Sequence, residues 1–166
     1  MFELKRLSPD AVPAALEKAR HYRLLNERAE AESICRDVLE VEPDNQDARV
    51  TLLLALTDQF RDKLGSAFTE ARALARGLDD DYSRAYYEGI VCERRAKTHW
   101  RSAGPGQGPV AHHWFHEAMT HYQQAVALKP PANDEAILRW NTCARVLDAH
   151  PELTPPIEEP LVEFLE

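Results

Sequence analysis

The chain has little of the material from which most functional signatures are built. Its 166 residues include three cysteines and six glycines. Cys35, Cys92 and Cys143 are widely spaced and form no C-x-x-C pair, which removes the common zinc and dithiol patterns. Each lies among apolar neighbours at helical spacing, the setting of a small buried hydrophobe in a reducing compartment. The one breaker cluster, Gly104 to Pro109 (GPGQGP), has neither the preceding strand nor the following lysine of a phosphate cradle. A G-x-S-x-G elbow and a convincing Cys/His pair are also missing. The paired acids Asp79 to Asp81 and Glu158-Glu159 read as helix caps and solvated charge. The expectation is a protein that is not an enzyme and that needs no cofactor.

Positive charge is in deficit as well. Twenty Lys and Arg against 28 Asp and Glu leave a formal net charge of −8, the wrong balance for a chain whose main partner is nucleic acid. Long apolar runs are absent: the longest, Leu52 to Leu56, falls far short of the ~18 residues a membrane helix needs. The first residues, Met1 to Val12, carry basic side chains without an apolar stretch behind them, so they do not read as a signal peptide. A cytoplasmic protein with neither nucleic acid nor membrane as partner is expected. Hydrophobic residues at 44% and charged ones at 29% suit one ordinary globular domain.

What the sequence has is helical periodicity. Apolar residues at three-and-four spacing predict a helix over about Ala11 to Asn26, capped by Asp10 with Pro13 in its first turn, and a second over Ala29 to Val41. Pro43 stops the second, and Asp44-Asn45 offers a fresh cap for a third from Asp47 to Phe60, whose run of leucines predicts burial on all sides. A fourth is expected from Ser66 to Arg76, ending at Gly77, and a fifth from Ser83 to Trp100 behind Asp79 to Asp81. Gly89 inside the fifth predicts a close helix approach. A sixth spans Val110 to Leu128, and a seventh Asp134 to Ala149. No stretch alternates as a strand would. The fold class is all-α.

Two phrases repeat. Four residues after Ala31 or Ala118 comes Cys35 or Tyr122, seven after comes Val38 or Ala125, and twelve after comes Pro43 or Pro130. A weaker copy starts at Ala67, with Ala71 and Leu74 in the matching slots and Asp79 in place of proline. The spacings between copies are 36 and 51 residues. Recurrence at this length marks a stack of helical hairpins, each of which leaves an apolar face bare until the next covers it.

The segment Ala31 to Asn45, A-x-x-x-C-x-x-V-L-E-V-E-P-D-N, and its copy Ala118 to Pro130 resemble the tetratricopeptide repeat (TPR) family, whose unit is a helix–turn–helix of about 34 residues. The first-helix signature is weaker: Tyr22 and Gly89 fill their slots, but Ala15 or Ala85 stands where the family has Trp. The resemblance covers about Val12 to Leu147 and implies a helical-repeat solenoid of three antiparallel hairpins plus a closing helix. It implies a protein–protein interaction module, an adaptor binding an acidic or extended peptide segment of another protein. By the same resemblance the first helices of the units line a concave groove, with Arg20, Arg23, Tyr86, Arg94, Asn141 and Arg145 facing it and Tyr87 at its edge. The family's carboxylate clamp uses paired Asn and Lys. This chain offers one clear Asn and no well-placed Lys, so that specificity is not carried over.

The third unit is too long. Roughly seventeen extra residues separate its landmarks, and a long loop over 98–111 is expected there, either a tolerated surface insertion or a binding loop with Trp100 and Arg101 as candidates. Five histidines crowd the region. His116 and His121 lie too far round one helix to share a metal, whereas His112 and His116, one turn apart, could, but two nitrogens do not complete a site. A self-associating subunit and a metal-responsive protein using these histidines are the alternative functions. From 151 to 166 the composition turns to proline and glutamate. Its first half is expected to be extended, with a short helical turn over Pro160 to Leu165, and the segment either caps the last helix or lies in the groove.

Overall fold

The structure is a computed structural model and describes residues 2–102 and 104–155. Among the described residues seven α-helices follow one another: α1 Val12–Leu24, α2 Arg28–Val41, α3 Gln46–Thr57, α4 Phe60–Arg76, α5 Asp81–Arg101, α6 Gln107–Leu128 and α7 Glu135–Ala149. There is no strand among the described residues, so the chain is all-α. Each helix packs mainly on its neighbour in sequence; α1 also touches α3, and α3 touches α5.

The helical slots of the two stronger copies are buried, while their proline slots stay at the surface. Ala31, Cys35, Val38, Ala118, Tyr122 and Ala125 are all fully withdrawn from solvent, as is Ala71 in the weaker copy. Small residues let the helix axes approach, and larger ones fill the space left beside them. Of the leucine run in α3, Leu52, Leu53 and Leu56 are buried and Leu54 is half-buried. Phe60, Leu53 and Cys35 join α1–α5 in one apolar cluster, while Phe115, Tyr122 and Cys143 join α5–α7 in another.

Two of the predicted caps form as the spacing implies. The Asn45 side chain accepts from Ala48 N–H at 2.9 Å, and Asp80 accepts from Ser83 N–H at 2.8 Å. Asp10 does not cap α1. Pro9–Ala11 instead form a 3-10 turn ahead of it, and Pro13 occupies the first helical turn, where its missing N–H has no intrahelical role. α1 stops before Asn26, which adopts a positive φ of 63°, a conformation Asn tolerates better than most.

Three expectations are corrected. α4 begins at Phe60, not Ser66, because a short turn precedes a break at Lys63 (φ −136°, ψ 43°). The turn places Phe60 in the core and leaves Arg61 at the surface. The long loop expected around 98–111 does not exist. α5 runs on to Arg101 and α6 starts at Gln107, so the extra residues lengthen two helices to 21 and 22 residues. Gly106, at φ 78°, makes the turn, and Pro109 falls in the first turn of α6. The third concerns the segment after His150. Its first residues are not extended: Pro151–Leu153 form a 3-10 turn that buries Leu153 against the α6 side of the core. The helical turn expected over Pro160 to Leu165 lies outside the described residues.

Candidate functional site: a basic cleft

Six of the twenty Lys and Arg side chains meet at one place. α5 presents Arg94, Lys97, Thr98 and Arg101 at spacings of three, one and three, which puts them on a single helical face. Arg23 and Leu24 reach the same cleft from the end of α1, Arg61 from the turn that opens α4, and Arg139 from α7. Together they bound a cleft of about 460 Å³, within the usual size range of ligand pockets. Among the described residues six cations line it against one carboxylate, Asp58. Leu24, 86% exposed, adds an apolar element at the rim.

Beneath this surface two carboxylates hold four of the cations in place. Asp58 accepts from Arg23 Nε at 2.8 Å and from Arg94 Nη1 at 3.4 Å. Glu93, fully buried, receives Lys97, the Tyr122 hydroxyl at 2.6 Å and Arg139 Nη1 at 3.3 Å. Burial alone would push the Glu93 carboxyl up. Lys97, Tyr122 and Arg139 together outweigh it, so its pKa lies below the ordinary carboxylate value. Lys97 and Arg139 therefore have an anchor on the protein side and exposed faces on the cleft side. Arg61 and Arg101 are exposed and form no ion pair among the described residues.

Of the residues singled out from sequence, the structure brings Arg23, Arg94 and Arg101 into the cleft. Arg20 lies outside it, paired with Asp47 at 3.0 Å. Tyr86 is buried between the rings of Tyr82 and Tyr122, at centroid distances of 5.7 and 6.0 Å. Tyr87 is half-buried beside it, and burial pushes its phenol up to about 12. Both tyrosines serve the core, and neither lines the cleft. Asn141 and Arg145 are on α7 but do not line the cleft either. Trp100 is a helical residue whose ring packs on Phe115 and, at 4.7 Å, on His150.

No family model, curated protein or solved structure matches the chain.

The sequence reading missed Arg61, Lys97 and Arg139. Lys97 was legible, since Arg94, Lys97 and Arg101 share one face of any helix through them. Arg61 was not, because its direction depends on the break at Lys63. Arg139 depends on the register of α7 against α5, which the buried Glu93 fixes.

The other chemistry considered does not assemble. The rings of His112 and His116 are 4.5 Å apart between centroids, yet no group of three His, Cys, Asp or Glu able to hold a metal occurs among the described residues. Burial pushes the thiols of Cys92 and Cys143 up to about 12 and that of Cys35 up to about 11. At neutral pH all three are thiols, and thiols are poor nucleophiles and ligands. No helix of the described residues is long and apolar enough to cross a membrane.

Proposed function

We propose that the protein is a non-catalytic interaction module that takes an acidic segment of another protein into the basic cleft. The observation that carries this reading is the meeting of six cations around one 460 Å³ cleft in a chain of net charge −8. Asp58 and Glu93 answer four of these cations, and the positive excess that remains opposes the overall charge and favours an anion in the cleft. Arginine, five of the six, suits carboxylates because its planar fork bonds them in pairs. The net negative charge outside the cleft disfavours a long polyanion such as nucleic acid, whereas a short acidic segment meets only the cleft.

The reading extends to architecture and place. The burial of Ala31, Cys35, Val38, Ala118, Tyr122 and Ala125 and the contacts of α1 with α3 and α3 with α5 support a TPR-like stack of hairpins with α7 as the closing helix. Three buried, unbridged cysteines support a reducing, cytoplasmic setting.

The test is fluorescence anisotropy with a labelled peptide carrying four consecutive glutamates. Arg61→Glu and Arg101→Glu should each weaken binding at least about tenfold, or ~1.4 kcal/mol. Arg145→Glu, which changes the charge equally outside the cleft, should not. Equal losses from all three, or from none, would remove the cleft from the account.

A further inference from the structure

Asp58 is out of place by the ordinary rules of helix charge. It follows the last residue of α3 as its C-cap, where the negative end of the helix dipole disfavours a carboxylate. Among the described residues it is also the single carboxylate lining a cleft of cations. Its side chain is mostly covered, at 18% exposure, and both its oxygens are engaged, Oδ2 by Arg23 and Oδ1 by Arg94. The guanidinium of Arg28 donates to its backbone carbonyl at 2.8 Å, so the residue is held from three helices, α1, α2 and α5. Nothing about α3 itself calls for this side chain.

We infer that Asp58 is a specificity-determining residue: a resident carboxylate that occupies Arg23 and Arg94 and that an incoming anion must share or displace. The inference rests on the acidic-segment reading of the cleft. It narrows the ligand to segments with two or more neighbouring acidic groups. An isolated carboxylate finds the central arginines already answered and is repelled by Asp58. A cluster engages Arg61 and Arg101, which form no ion pair among the described residues, and then competes for Arg23 and Arg94 with the advantage of being already bound. Selection against weak anions is thus built into the cleft as a like charge.

The experiment compares the native chain with Asp58→Asn and with Asp62→Asn. Asn is nearly isosteric and well suited to a helix C-terminus. Asp62 pairs with Arg28 at 3.3 Å and does not line the cleft, so its variant changes net charge by the same amount. The probes are two labelled peptides, one with four consecutive glutamates and one with a single glutamate among glycines. Asp58→Asn should bind the four-glutamate peptide at least about fivefold tighter and gain more for the single-glutamate peptide, narrowing the ratio between the two. Asp62→Asn should leave both unchanged. A residue that only braced Arg23 and Arg94 would lower affinity on substitution, so native binding with an equal or weaker Asp58→Asn overturns this inference alone. If neither the native chain nor Asp58→Asn takes either peptide, the acidic-segment reading falls with it.

Discussion

At Gly89 the place of a side chain is taken by the ring of Tyr122. A Cβ there would come within 2.5 Å of that ring, and the ring is itself fixed by its hydroxyl on Glu93. Alanine is normally the better helix residue by about 1 kcal/mol, but here overpacking should dominate. Gly89→Ala is expected to lose about 1–3 kcal/mol of stability in urea denaturation. Glu93 is the other residue on which much depends. Its removal leaves Lys97 and Arg139 partly buried without their carboxylate, and Glu93→Ala should cost about 3–5 kcal/mol. Because the folded pKa of Glu93 is depressed, its contribution is complete above the unfolded value of 4.5 and is lost as the pH falls through the lower folded value. Native stability should therefore fall as the pH drops below about 4.5, and Glu93→Gln should flatten that part of the profile. A variant whose acid profile is as steep as that of the native chain would assign the effect to other carboxylates.

The caps Asn45 and Asp80 each satisfy a backbone N–H at the start of a helix, so Asn45→Ala and Asp80→Ala should each cost about 1 kcal/mol in thermal or urea melts. Burial raises and the bonds to Ser83 lower the Asp80 carboxyl, with the net below its ordinary value, so its loss should matter less at low pH. These helices were largely legible, because caps, prolines and apolar spacing are local signals. Where the sequence reading erred, at the start of α4 and between α5 and α6, tertiary packing decided. Phe60 is drawn into the core at 1% exposure, extending α4 across a break at Lys63. Likewise His99 Nδ1 lies 2.7 Å from Gln107 Oε1, tying the end of α5 to the start of α6 across five residues that composition alone marked as part of a long loop. Leu153 had no periodic neighbours to betray it, yet it is buried against α6. Leu153→Ala should lower stability by about 2 kcal/mol or more, a loss that a merely trailing segment would not produce.

Across the whole molecule, charge separates. The chain carries eight more negative than positive side chains, yet one cleft gathers six cations from four helices far apart in sequence. Half of that gathering was visible beforehand: Arg23, Arg94 and Arg101 were named from the sequence, while Arg61 and Arg139 needed the positions of α4 and α7. The cations are partly exposed, so binding driven by them should weaken steeply with added salt. The central claim is that this cleft receives an acidic segment, and amide chemical-shift mapping tests it most directly. The native protein, labelled with nitrogen-15, is titrated with the four-glutamate peptide. The account predicts shifts concentrated at the end of α1, the first turn of α4, residues 94–101 of α5 and the start of α7, reversed by added salt. Shifts centred elsewhere, or none at saturating peptide, would contradict it.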